Sequence, residues 1–408
     1  MPTAVPHGAG LYLAALQFLF TLGWTVYAIF LPQLAGAVGI PRTWVIWILL
    51  ADQVIFAVTD YAMGVVADRV AGLVGRLGRL VAILTAVSCV AFLALPFIAG
   101  LGAVGKPLLI AAIVVWAVTS SALRAPPLML LGKYAARSSI PWLSSLALLG
   151  LGIAGAIAPY VTVTLRGGDP RWPFVVASLV LLLTSLGLVH VERRLAAAAA
   201  SAAPRVQQAR RGPTATPLPQ RVSVFLLVVL ALGIGFQVHG NLNSAPQFLR
   251  FAQPADLDML LPIFWISFNV AMFPASLLTQ RWGGLIVMAG AGVIGGVATH
   301  VAGAAESLPT LISAQLVAGA AWGAMMMSAL SAALAIGQGG DEGRVIGAMF
   351  SALALATVTR MAFVAGGLPG DPGYATLLAW APPVTWIVGG GVFLILLMLA
   401  SQRRPATA

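Results

Sequence analysis

The chain has 408 residues, 60% of them hydrophobic and 8% charged, whereas soluble domains carry about 25% charged residues. With a mean hydropathy of +0.98, a water-soluble globular domain is excluded, and a bilayer becomes the solvent in which such a chain can fold. The net charge of +11 would raise nucleic acid as a partner in a soluble protein, but here most cations fall in short loops between apolar runs, as membrane topology requires.

Twelve apolar runs of spanning length are predicted, at about 10–34, 43–66, 80–100, 107–131, 141–164, 172–190, 222–246, 258–280, 284–304, 309–336, 344–367 and 376–400. The expected class is therefore an all-α membrane protein of twelve transmembrane helices in two six-helix pseudo-repeats. Residues 1–191 form the first half and 222–408 the second, with its short tail. Between them, 192–221 holds an alanine tract, several arginines and four prolines, and reads as a flexible basic linker. The first ten residues carry no Lys or Arg and lead into a run longer than the core of a signal peptide, so no cleavage is expected. If the N-terminus is cytoplasmic, fifteen Lys and Arg lie in inner loops and tail against five in outer loops. That bias predicts both termini inside, in a bacterial inner membrane.

Taken in order, the first run offers Gln17, Trp24 and Tyr27, and the second carries Asp52 and Asp60. The loop that follows holds Gly64, Asp68, Arg69, Gly75 and Arg76. There glycine permits close helix approach, the acid can cap a neighbouring helix end and the arginines anchor the inner side. Cys89, the single cysteine, is expected to be small core filler. The fourth run contributes Trp116 and Arg124, and in the fifth Gly150, Gly152 and Gly155 suggest close helix packing. The seventh brings Gln237, His239, Asn241 and Asn243, the eighth Asn269, the tenth Gln315 and Trp322, the eleventh Arg360. Amide, imidazole and aromatic groups of this kind can hold a polar solute in a central cavity, although polar side chains also tie membrane helices together. Pro126, Pro159, Pro246, Pro262 and Pro274 are expected to break or kink their helices.

A charge inside the membrane is costly and marks a functional candidate. By helical rise, Asp60 and Arg124 share a depth roughly 7–8 Å inward of the midplane and are expected to pair, as a structural ion pair or as part of coupling. Asp52 and Arg360 lie roughly 4–5 Å and 7–8 Å outward and are read as a possible outer gate.

Two six-helix halves joined by a basic inner linker resemble the major facilitator superfamily, in which the halves rock about a midplane site. The spacing of Asp60, Gly64, Asp68, Gly75 and Arg76 resembles the glycoside-pentoside-hexuronide cation symporters. In those, an acid matching Asp60 binds the coupling cation with a second acid in an Asp-x-Pro context on helix 4. Here that context is Arg124, Ala125, Pro126, and a guanidinium repels a cation, so the resemblance implies ancestry without sodium coupling.

The expected function is a secondary transporter of a small polar solute such as a sugar or organic anion, driven by protons or exchange. Alternatives are an efflux pump for amphipathic compounds and, in another class, a non-transporting sensor or membrane-embedded enzyme. No zinc-protease or phosphate-loop motif and no Cys/His cluster is present, so no catalysis, cofactor or metal is expected. The expected partners are the bilayer, the solute and protons, with the chain acting as a monomer.

Overall fold

The computed structural model describes residues 7–201 and 218–402. The first six residues, the Arg- and Pro-rich stretch 202–217 and the tail 403–408 lie outside the described residues. Among the described residues, twelve helices are long and apolar enough to cross a membrane. They are α1 (His7–Ala37), α2 (Arg42–Val70), α3 (Arg76–Ala99), α4 (Gly102–Tyr134), α5 (Arg137–Leu165) and α6 (Arg171–Ala200), followed by α7 (Val222–Phe248), α8 (Pro254–Trp282), α9 (Gly284–Ala304), α10 (Leu308–Gly337), α11 (Glu342–Ala365) and α12 (Pro372–Leu399). An even number of crossings puts the start of α1 and the end of α12 on one face, called proximal here, with the other face distal.

One predicted boundary moves. The helix ending the first half continues to Ser201, ten residues into the expected linker. Alanine is the best helix former, so the tract at 196–200 propagates the helix and does not loosen it. Glu192, buried, secures this extension by accepting the Gly78 N–H at 2.7 Å near the start of α3.

Of the five prolines expected to disturb helices, three do. A 3-10 turn at Ser121–Leu123 interrupts α4 just before Pro126, a π turn at His239–Asn243 interrupts α7 just before Pro246, and Pro262 restarts α8 after a short first turn. Pro159 and Pro274 sit inside uninterrupted helices, where one missing donor is tolerated.

Within the first six helices α1 packs on α5 and α6, and α3 on α4 and α6; within the last six α10 packs on α8 and α9, and α12 on α7 and α9. The two sets meet chiefly through α2 against α11 and α5 against α8. Glycines make the first contact a backbone contact. A Cβ on Gly64 would run into the Gly343 carbonyl and stand 3.2 Å from Gly347 Cα. In α5, Gly152 and Gly155 receive the side chains of Asn269 and Trp265 from α8, while Gly150 lies against the α1 backbone at Ala14.

The buried apolar residues divide by depth. A single cluster spans both sets of helices on the proximal side, including Leu77, Met129, Leu143, Phe225, Met272, Leu330 and Met349. Toward the distal side the core splits. One cluster around Phe30, Phe92, Trp116 and Phe174 belongs to the first six helices, and another around Phe248, Leu311 and Ala314 to the last six. The apolar core is thus shared between the halves proximally and divided distally, where the start of α8 still touches α5.

Candidate functional site

The break in α4 positions the first buried charge. In an unbroken helix the Leu123 carbonyl would accept from residue 127, which is proline and has no N–H. Gln17 of α1 supplies the missing donor, with Nε2 2.8 Å from Leu123 O. Arg124 sits at the break, and its Nη1 lies 2.8 Å from Asp60 Oδ2, the Asp60 side chain being fully buried. Neither Asp60 oxygen makes an aligned hydrogen bond, so the contact is one of charge. The guanidinium also lies over the rings of Phe56, at 5.0 Å, and Phe350, at 5.2 Å, which adds cation–π attraction from both halves. Sequence reasoning missed these two phenylalanines, and their spacing along α2 and α11 resembles ordinary core.

Two turns distal of Asp60, buried Asp52 accepts a hydrogen bond from Tyr27 Oη at 2.8 Å. Tyr27 is ordered by Trp116, 4.4 Å between ring centroids, and Trp24 stacks on Trp116 at 5.5 Å with planes 13° apart. The last six helices repeat the device, with Phe236 of α7 stacked on Trp322 of α10 at 4.4 Å and 3°.

Arg360 does not reach Asp52. Its Nε donates to Gln237 Oε1 at 2.8 Å, and that oxygen also accepts from Asn241 Nδ2 at 3.2 Å. The expected bridge is absent among the described residues because the two charges lie in the distal parts of α2 and α11. There Asp52 takes the Tyr27 hydroxyl and Arg360 the Gln237 amide oxygen, each within its own half.

The remaining polar candidates are mostly used up internally. His239 is buried, with Nε2 3.0 Å from Gln315 Oε1, and Gln315 Nε2 donates to Gln247 at 3.2 Å. Asn243 donates to the Leu378 carbonyl at 2.7 Å, which Pro382 leaves without a helical donor. Asn269 donates to Trp265 O at 2.8 Å. Of the expected cavity amides, Asn241 alone is exposed.

The loop after α2 is a proximal clamp. Asp68 accepts the N–H groups of Gly343 and Arg344, both at 2.7 Å, and so caps the start of α11 from the other half. Gly75, at φ +84°, turns the chain into α3, whose first residue is Arg76, while Arg69 points to solvent. Lys133 reaches the Ala71 carbonyl at the same face.

On the distal side a cavity of about 1040 Å³ opens between α1, the start of α2 and the end of α5. Trp24 lines it toward the middle of the membrane, Arg42 and Arg166 line it toward the mouth, and no carboxylate is among its lining residues.

No protein-family model matches the sequence, and no curated protein does. Solved structures do match. A bacterial homologue of the iron transporter ferroportin, in an outward-facing state, is 12% identical over 96% of this chain and 99% of its own, with TM-score 0.72. The human organic anion transporter MFSD10 (TETRAN) is 15% identical over 97% and 99%, with TM-score 0.69. The proton:xylose symporter XylE is 13% identical over 97% and 95%, with TM-score 0.62. The fold is that of the major facilitator transporters.

Proposed function

We propose that this chain, folded like the major facilitator transporters, is a secondary active transporter that moves a small polar solute across the membrane by alternating access. One observation carries the reading: the apolar core is continuous across both halves on the proximal side and divided on the distal side. That is the form of a molecule with access from one face. Rocking of 1–191 against 222–408, joined by 192–221, of which 192–201 continue the last helix of the first half, would exchange the open face. The excess of cations in the proximal loops supports a cytoplasmic proximal face, so the open cavity faces outward, in a bacterial inner membrane and from a monomer. The matched structures carry an organic anion, xylose or iron in their names, and the small-solute class is the ground they share.

Coupling by protons or by exchange fits the charges better than coupling by sodium. Asp60 is committed to Arg124, whereas Asp52 meets, among the described residues, the neutral Tyr27 phenol and no cation, and can change protonation without breaking an ion pair. The test is flux in proteoliposomes of the purified protein with and without a pH gradient, using solutes chosen by thermal shift, since a ligand of the native state raises its melting temperature. Solute binding without flux in either condition would refute the transporter reading in favour of a sensor.

A further inference from the structure

The charges inside the helices are unequally matched. Asp60 and Arg124 neutralise each other and Asp52 takes a phenol, but Arg360 meets no carboxylate among the described residues. Its surroundings hold it in one pose. Thr357 Oγ1 donates to the Leu353 carbonyl at 3.1 Å, so toward Gln237 it acts as acceptor, taking Nε2 at 2.9 Å. The Gln237 amide is thereby oriented with its oxygen toward Arg360 Nε. This anchors the guanidinium by its Nε edge. Among the described residues its Nη1 and Nη2 groups have no partner, and they are not sealed from solvent. Two parallel N–H donors in that arrangement are the geometric match of a carboxylate. Elsewhere on the distal side, the cavity within the first six helices has Arg42 and Arg166 among its lining residues and no carboxylate.

We propose that Arg360, held by Gln237 and Thr357, binds the carboxylate of an organic acid, and that the transported solute is an organic anion. This rests on the transporter reading above. The preset amide means that little side-chain ordering is left to be done on binding, and a half-buried cation without a counter-charge among the described residues gains one with the solute. A neutral sugar offers no counter-charge.

Thermal unfolding of the purified full-length protein at constant ionic strength tests this with matched probes: glucuronate against glucose, benzoate against benzamide, and lactate against glycerol. At least one carboxylate should raise the melting temperature of the wild type while its neutral counterpart does not. Arg360→Gln should weaken that carboxylate by about 10-fold or more, the loss of one charge-assisted contact. Arg360→Lys keeps the charge without the fork and should fall between, and it is the variant to read if Arg360→Gln does not purify as a single species. Equal binding of acid and neutral partner, no binding of any carboxylate, or full binding by both variants overturns the proposal. The two readings fail separately in proteoliposomes. Carboxylate binding without flux defeats transport and spares the site, whereas flux of a neutral solute unchanged by Arg360→Gln spares transport and defeats the site.

Discussion

Replacing Gly64 by alanine sets a methyl group between two backbones. The new Cβ would overlap the Gly343 carbonyl and stand 2.8 Å from its carbon, about 0.7 Å short of ordinary contact. Both neighbours are main chain, so no side chain can turn aside, and relief comes from separating α2 and α11. Overpacking of this kind costs about 1–3 kcal/mol. Because the contact belongs to the proximally closed arrangement, the cost falls on that arrangement alone and shifts the balance toward proximal opening by about 5- to 150-fold. Two cysteine reporters in a Cys89→Ser background read it. Met129 is buried at the α2–α11 seam, so Met129→Cys should react faster with a soluble maleimide when Gly64→Ala is added. Gln33 lines the distal cavity, so Gln33→Cys should react more slowly. General unfolding would accelerate both. Unchanged rates at both positions would refute the reasoning.

Charge reversal tests the buried pair: Asp60→Arg and Arg124→Asp should each cost about 3–5 kcal/mol, seen as lost folded yield, and the double swap should recover part of it. Two single variants as stable as wild type would show the pair to be dispensable. Replacing sodium by choline at fixed pH should leave flux unchanged if the resemblance to the cation symporters holds, since it sets Arg124 at the position of their cation-ligating acid; a strict sodium requirement contradicts this. Asp52→Asn should abolish accumulation driven by a pH gradient while sparing solute exchange. Accumulation that survives in this variant removes Asp52 from coupling.

The helices were legible because their cause is one-dimensional: twenty apolar residues in lipid have few alternatives to a helix. Depth was legible too, since rise per residue is fixed, and it brought Asp60 to Arg124. Lateral position was not. Asp52 and Arg360 have compatible depths, yet each takes its partner within its own half, and nothing in the local spacing encodes which face of the molecule is open. By residue type the amides read as cavity groups, but Gln17 and Asn243 serve carbonyls that prolines on other helices leave without donors. The signal was present as Pro127 and Pro382, and using it would have required knowing which helices touch. Glu192 likewise falls in the linker by sequence, since its partner Gly78 is remote along the chain.

The bend in α4 is fastened from α1, and this has a consequence for anyone redesigning the chain. Straightening the helix with Pro127→Ala returns a main-chain donor to Leu123 and strands the Gln17 amide; Gln17→Leu alone strands the carbonyl. Made together, the two changes leave no orphan, so the pair should be accepted where each single change is refused. Positions far apart in the sequence thus form one unit of heredity, a bend and its fastener, to be exchanged together or left alone.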